Sequence, residues 1–283
     1  MEESSNNSFL RDGQNGFAEL THGSLFSGIG GFELGAELVG IKTKWSCEIQ
    51  DFQRNILKKN FPETKQYEDI TELQSPEYVD IISGGFPCQD ISVAGKGEGI
   101  NGQRSGLWSE MFRIVGQVRP KYVIIENSPM LAIRGFEQVL CDLSKIGYNA
   151  EWQCLSGTTF GIQQNRERLY CIAYRDSKHN KRSSTQQIFR KLDLSRELTR
   201  IYPGWRKRPD LPKSRFLRAT NGLRPWLDRV GAVGNAVMPL IAVYLFRCIQ
   251  IADRQRGKEK TVIAANKHET SNNAEMFEQT ELC

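Results

Sequence analysis

The sequence predicts an α/β protein with a doubly wound, mostly parallel sheet that carries helices on both faces. Short runs typical of β-strands alternate with helical patterns along the chain, which is the order that such folds require. Two of the runs, Tyr78–Ser83 and Tyr122–Ile125, are dense in Val and Ile, as expected of strands covered on both faces. A glycine-rich turn follows the first strand candidate, at the edge where such sheets bind ligands.

The individual elements follow this alternation from one end of the core to the other. Gly23–Phe26 is a strand candidate that enters the glycine turn, and a helix is predicted from Gly31 to Val39. Later elements are a strand at Thr43–Glu48, a helix at Asp51–Asn60, the two strands already named, a helix with an apolar stripe at Phe136–Ile146 and a strand at Arg168–Tyr174. The strongly apolar segment Met238–Ile251 is predicted to be the final helix.

Composition divides the chain into five segments. Residues 20–175 hold the α/β pattern, and residues 231–253 hold the last helix, which we expect to return to that core. Residues 1–19 and 254–283 are polar tails that we predict to be disordered. Residues 176–230 have little periodicity, four prolines and interleaved aromatic residues. We interpret them as a small separate unit.

That small unit is strongly basic. From Arg175 to Arg229 the chain has sixteen Lys and Arg against five Asp and Glu, although the whole chain has a net charge of +5. The remainder of the chain is therefore acidic. A basic segment on an otherwise acidic protein is typical of polyanion binding, although a solvated surface segment would have the same composition.

Composition also argues against several classes of protein. No apolar run reaches the roughly 18 residues that cross a bilayer, and the polar first residues do not resemble a secretory signal. We therefore expect a protein located inside a cell, with no membrane partner. The seven cysteines and three histidines are scattered without a C-x-x-C pair, so neither a metal site nor a disulfide framework is predicted.

The first candidate site is the run Ser24–Phe32, a strand, a glycine-rich turn and the start of a helix. Glycines such as Gly28 and Gly30 let the backbone approach a ligand closely and direct helix N–H groups towards it. Glu48 ends the second predicted strand, where a carboxylate can accept hydrogen bonds from both hydroxyls of a ribose. The turn by itself would fit a structural role equally well, but with Glu48 it favours a nucleoside-type cofactor.

A second candidate site combines a thiol, a carboxyl group and two arginines. Cys88 lies in the run GGFPCQ directly after a predicted strand, where the proline and glycines indicate a rigid, exposed turn. Glu126 follows the next strand, so adjacent strands would bring both side chains to one edge. This pair suits attack on an electron-poor ring with protonation of that ring. Arg166 and Arg168 would face the same way and could polarise a carbonyl or hold a carboxylate.

The order of these motifs resembles that of the DNA cytosine-5 methyltransferases. The chain carries GIGGF, Glu48, GGFPCQ, ENS, QNRER and GNAV in that order, over roughly residues 23–175 and 230–252. Several ordered motifs are far more specific than any one of them. The resemblance implies a Rossmann-like, S-adenosylmethionine-dependent methyltransferase sheet with a small target-recognition unit. It also implies methylation of C5 of a flipped-out cytosine in double-stranded DNA, which leaves S-adenosylhomocysteine and uses no metal. A small member of the phage or prophage type would work in the cytoplasm of a bacterial cell or a phage-infected host, associated with the nucleoid.

The resemblance implies roles for individual residues. Cys88 matches the nucleophile that adds to C6 of cytosine, Glu126 the residue that holds N3 and the amino group, and Arg166 the arginine near O2. Asp69 matches the acid that meets the adenine amino group. The full set of matched cofactor positions is Phe26, Gly28, Gly30, Glu48, Asp69, Ile70, Phe86 and Asn235.

Contacts with DNA are predicted in two places. The glycine-rich run after the nucleophile is interpreted as a mobile loop that closes over the flipped base, with Gln89, Ser92 and Arg104 as candidate contacts. In the basic unit, Arg206 and Arg208 are candidates for phosphate or guanine contacts. The aromatic residues near them could fill the gap left by a flipped base or form the small core of that unit. We expect a monomer.

The chain departs from the family pattern in three places, and two alternatives to DNA methylation are open. Ser24 stands where an acid is usual, Gln163 stands where proline is usual, and the motif that braces the recognition domain is not recognisable. A cytosine-5 methyltransferase acting on transfer RNA could use the same core, although that branch usually has PPCQ instead of FPCQ. A catalytically silent DNA-binding protein is the other alternative, and the intact Cys88 and Glu126 argue against it.

Overall fold

The computed structural model describes residues 19–87, 106–160, 165–175, 187–190 and 236–257. Within these ranges the strands are β1 Thr21–Leu25, β2 Lys42–Cys47, β3 Lys65–Tyr67, β4 Ile81–Gly84, β5 Tyr122–Asn127, β6 Tyr148–Leu155 and β7 Arg168–Arg175. They form one sheet in the order β3-β2-β1-β4-β5-β7-β6. β1 to β5 pair in parallel, and β7 pairs antiparallel with both β5 and β6. The predicted mostly parallel α/β fold is confirmed.

Helices cover both faces of this sheet. They are α1 Gly31–Leu38, α2 Asp51–Asn60, α3 Leu107–Val118, α4 Phe136–Lys145 and α5, residues 239–257, with 3-10 turns at Pro129–Ile133 and Gly157–Phe160. Alternate residues of β5 enter different cores, because side chains along a strand point to opposite faces. Tyr122 and Ile124 pack with α1 and α5, whereas Val123 and Ile125 pack with α3 and α4.

The last helix packs against α1 in the core. Glycines on α1 allow a close approach, because an added Cβ on Gly31 would collide with the Val237 carbonyl oxygen and one on Gly35 with Ala242. Gln250 on α5 donates a hydrogen bond of 3.2 Å to the carbonyl oxygen of Val39. The helix continues to residue 257, past the boundary expected at residue 253.

Several predicted boundaries differ from the structure. β4 begins at Ile81 and not at Tyr78, because Tyr78 is 51% exposed and lies before the paired segment. β1 starts two residues earlier than predicted, at Thr21, and β7 extends to Arg175. The sequence patterns do not predict β3, α3 or β6.

One acidic side chain is buried beneath the glycine turn. Glu33, in the first turn of α1, is 1% exposed, and neither of its carboxyl oxygens has a hydrogen-bond partner within the described ranges. Burial raises the pKa of Glu33 to about 7. Its own backbone N–H and the Ser27 and Ser24 hydroxyls lower this pKa by less, because none of them reaches hydrogen-bond geometry with the carboxyl oxygens. An ionised carboxylate that is buried in this way is costly inside a protein, so the charged form of Glu33 destabilises the fold.

Replacing Glu33 by Gln should therefore stabilise the protein more at about pH 8 than at about pH 5. The folded-state pKa of about 7 lies above the ordinary value of 4.5, so wild-type stability falls as the pH rises through that interval. The shift corresponds to roughly 3 kcal/mol in the free energy of unfolding. Chemical denaturation at both pH values measures this difference.

The matched control for this variant is Glu37→Gln, which removes an exposed carboxylate from the same helix. Its effect on the free energy of unfolding should be small and nearly equal at the two pH values. A gain for Glu33→Gln that does not depend on pH would contradict the assignment of a raised pKa to this group.

Candidate active site

The turns at the carboxyl ends of β1 to β5 surround one cleft of about 340 Å³. These turns lie at one edge because the strands that precede them are parallel neighbours. The segment before β7 closes the cleft from the other side. Of the predicted site residues, the cleft is lined by Phe26, Gly28, Glu48, Asp69, Ile70, Phe86, Glu126, Arg166 and Arg168. Residues from separate motifs therefore meet in one place.

The turn after β1 has an unusual backbone conformation. The angle φ is positive at three residues: 54° at Phe26, 57° at Gly28 and 92° at Gly30. Only glycine adopts such angles without strain. A Cβ added to Gly28 would meet nothing within 4 Å, so this glycine leaves open space on the cleft side. Gly30 faces Phe61 and is not among the residues that line the cleft.

Glu48 is held in place by the backbone around it. The Gly28 N–H donates to Oε2 at 2.7 Å, and the Gln50 N–H donates to Oε1 at 3.0 Å. Because each carboxylate oxygen can accept more than one hydrogen bond, both oxygens keep acceptor capacity towards the cleft. The arrangement can bind a pair of neighbouring hydroxyl groups.

Apolar side chains and a second carboxylate lie beside Glu48. Ile49 is 61% exposed and lines the cleft, and Ile70 and Phe86 form buried parts of its wall. Phe86 is supported from behind by Trp108, whose ring centroid lies 5.6 Å away. Asp69 accepts hydrogen bonds of 2.8 Å from the amide and the hydroxyl of Thr71, both at Oδ1. This end of the cleft suits a flat heterocycle that also donates hydrogen bonds.

Glu126, near the carboxyl end of β5, lies at the other end of the cleft. Arg168 Nε approaches its Oε1 at 3.2 Å. Burial raises the pKa of Glu126, although the positive charges of Arg166 and Arg168 oppose that shift. A Cβ on Gly85 would lie 2.5 Å from Glu126 Oε2, so a side chain at this position would displace the carboxyl group.

The turn that leads to Cys88 is anchored to the strand that carries Glu126. Asn127 donates from Nδ2 to the carbonyl oxygen of Phe86 at 3.2 Å. Pro87, the next residue, also lines the cleft. Sequence reasoning treated Asn127 only as part of the ENS motif and did not predict this contact, which no periodicity or charge pattern signals.

A different thiol also lines the cleft. Cys47 ends β2, and burial raises its pKa to about 12, with a further increase from the nearby Glu48 carboxylate. A nucleophilic cysteine must be available as the thiolate near neutral pH. Cys47 is therefore a poor nucleophile in this environment.

Several predicted site residues lie outside the described ranges, namely Cys88, Gln89, Ser92, Arg104, Arg206, Arg208 and Asn235. Arg166 donates from Nη1 to the carbonyl oxygen of Ala236 at 2.8 Å, so the segment next to Asn235 reaches this cleft. Most of the basic unit also lies outside, and its described residues 187–190 contact the core. The Ile188 N–H donates to Glu151 Oε2 at 2.8 Å.

No helix in the described ranges is long and apolar enough to cross a membrane. Among the same residues, no group of three or more His, Cys, Asp or Glu side chains is placed to hold a metal ion.

The fold is of the α/β class with a cleft at the carboxyl ends of its parallel strands, and comparison with known proteins gives the family of the chain. The family described as C-5 cytosine-specific DNA methylase matches residues 20–213. The chain belongs to this family. The resemblance in the sequence is therefore confirmed.

Individual relatives show how much of the chain is shared. It is 39% identical over 158 residues to type II methyltransferase M2.BsuMI of Bacillus subtilis, covering 53% of this chain and 41% of that protein. It is 36% identical over 159 residues to M.NgoBI of Neisseria gonorrhoeae, covering 54% and 50%. A solved structure of the S. pombe Dnmt2 methyltransferase aligns at 21% identity and a TM-score of 0.49 over 68% of each chain. The chain spans about half the length of these curated relatives or less.

Replacing Arg168 by Met should raise the pKa of Glu126 further. The guanidinium of Arg168 stabilises the carboxylate form of Glu126. Without it, Arg166 is the one arginine of the pair that still counteracts the increase in pKa caused by burial. Carbon-13 NMR of labelled glutamate carboxyls, titrated in both proteins, measures the change. The control is Arg175→Met at the far, exposed end of β7, which should leave the Glu126 titration in place. An unchanged or lowered pKa in Arg168→Met would contradict the ion pair.

Proposed function

We propose that this chain methylates C5 of cytosine in double-stranded DNA, with S-adenosylmethionine as the methyl donor. The observation that carries the proposal is that one cleft joins Glu48 and Asp69 at one end to Glu126 and two arginines at the other. Membership in the family of C-5 cytosine-specific DNA methylases supports the same reaction.

The donor set at the Glu48 end fits the adenosine part of S-adenosylmethionine. Glu48 offers acceptor oxygens for two ribose hydroxyls, and Asp69 offers a carboxylate for the adenine amino group. Ile49, Ile70 and Phe86 supply apolar surface for the ring faces. Gly28 leaves open space where a side chain would intrude. When bound, S-adenosylmethionine supplies an electrophilic methyl group on a sulfonium.

Glu126 has the properties needed to hold and activate cytosine. Its raised pKa favours the neutral carboxyl group, which donates one hydrogen bond and accepts another. A neutral carboxyl can therefore donate to ring N3 and accept from the exocyclic amino group of the same base. We assign Arg166 to the neighbouring O2, where its positive charge would stabilise electron density drawn into the ring.

Cys88 completes the proposed reaction from the turn that begins beside Glu126. Its thiolate adds to C6 while Glu126 protonates N3, which makes C5 electron-rich enough to take the methyl group. The proton on C5 then leaves to a base, the C6–sulfur bond breaks, and the proton on N3 returns to Glu126. The ring is restored as 5-methylcytosine and the thiolate is regenerated.

Duplex DNA must present the base outside its stack for this geometry. C6 of a stacked cytosine is not accessible, and flipping a base costs a few kcal/mol. The basic segment around Arg206 and Arg208 supports DNA as the partner through its local positive charge. We propose that the protein acts as a monomer.

The proposal is tested by incubating the purified chain with radiolabelled S-adenosylmethionine and either duplex DNA or transfer RNA. Label is expected in the DNA, and digestion to nucleosides should identify the product as 5-methyldeoxycytidine. The Cys88→Ala variant should lose nearly all transfer because alanine has no thiolate to add to C6. Cys141→Ala is the matched control, since this cysteine is exposed on α4.

Three results would overturn the proposal. Label in transfer RNA and not in DNA would favour the alternative acceptor. Label on a nitrogen of adenine or cytosine would contradict the C5 mechanism, and near-normal transfer by Cys88→Ala would exclude this thiol as the nucleophile.

A further inference from the structure

Two arginines outside the cleft bind the two turns that carry Glu48 and Asp69. Arg54 on α2 is 7% exposed, and Arg113 lies on α3. Neither is among the residues that line the cleft. Each guanidinium instead donates to the backbone of a turn that carries a proposed cofactor contact.

Arg54 acts on the turn after β2. Its Nη1 donates to the carbonyl oxygens of Glu48 at 2.9 Å and of Ile49 at 2.5 Å. Its Nη2 pairs with Asp51 and lies 3.7 Å from Glu68 Oε1. Glu68 precedes Asp69, so one guanidinium contacts both turns.

Arg113 acts on the second of these turns from α3. Its Nη2 donates to the carbonyl oxygen of Ile70 at 2.7 Å, and its Nη1 donates to that of Leu73 at 2.9 Å. Glu110, one turn earlier on α3, fixes the guanidinium through a 2.8 Å contact to Nε. The segment that contains Asp69 and Ile70 is thereby tied to α3.

The geometry of these contacts requires a guanidinium. Its planar array of donors can hold two carbonyl oxygens or a carbonyl and a carboxylate at fixed angles. A lysine ammonium keeps the charge but cannot reproduce that planar array. Buried carbonyl oxygens that lose their donor are costly, so the turns would shift to find water.

We propose that Arg54 and Arg113 are positioning residues that set the relative placement of Glu48, Asp69 and Ile70 without touching a ligand. This inference rests on the proposed use of S-adenosylmethionine at that end of the cleft. Arg54 fixes the turn that carries Glu48 and links it to the turn that carries Asp69. Arg113 fixes the Asp69 turn to α3. Cofactor affinity therefore depends on side chains that lie behind the site.

The test compares Arg54→Lys and Arg113→Lys with Arg119→Lys as the matched control. Arg119 also donates to a backbone carbonyl, that of Ile146 at 2.6 Å, but it joins the ends of α3 and α4 away from the cleft. Calorimetry measures the dissociation constant for S-adenosylhomocysteine, and thermal unfolding measures stability. Steady-state kinetics separates kcat from the KM for S-adenosylmethionine.

Arg54→Lys and Arg113→Lys should each weaken S-adenosylhomocysteine binding about tenfold and raise the KM, with kcat at saturating cofactor nearly unchanged. Arg119→Lys should lose a similar amount of thermal stability without a change in affinity. Equal affinity in all three variants and the wild type would overturn the inference, because the arginines would then be merely structural. A wild-type protein that binds no S-adenosylhomocysteine would contradict the proposed function itself, and this inference with it.

Discussion

The in-register parallel pairing of β1, β2, β4 and β5 is the constraint on which the site depends. Leu25 at the end of β1 pairs with Cys47 on one side and Gly84 on the other, and Gly84 pairs with Ile125. β1, β2 and β4 therefore end in one row, which β5 passes by two residues. The residues that come next include Phe26, Glu48, Gly85 and Glu126, and all four line the cleft. A shift of one register would reverse the side chains that face each core and separate these turns.

Much of the fold is predictable because its strands are buried on both faces and its turns carry glycine. β4 and β5 are fully buried along their lengths, so a dense apolar run marks them. β6 escapes prediction because it is an edge strand with mostly exposed or half-buried residues, and β3 has only three residues. α3 begins directly after the glycine-rich run that the sequence predicts to be a loop, and the sequence patterns do not mark where that loop ends.

The sequence indicates site residues where a charged or nucleophilic side chain stands at the end of a predicted strand. Glu48 and Glu126 were found in this way, and the structure brings both to the cleft. Arg113 and Asn127 donate to backbone carbonyl oxygens of segments distant in the sequence, and Arg54 donates to those of the turn before its own helix. Such contacts depend on how α2, α3 and β5 are placed, and neither periodicity nor local charge indicates them.

Trapping the chain on DNA that contains 5-fluorocytosine tests the central claim most directly. Fluorine at C5 cannot leave as a proton, so a thiol that has added to C6 stays bound after methyl transfer. The account predicts a covalent complex that forms only when S-adenosylmethionine is present, and peptide mass spectrometry should place the modified base on Cys88. A modified base on another cysteine, Cys47 in particular, or methylated DNA without any trapped complex would contradict it.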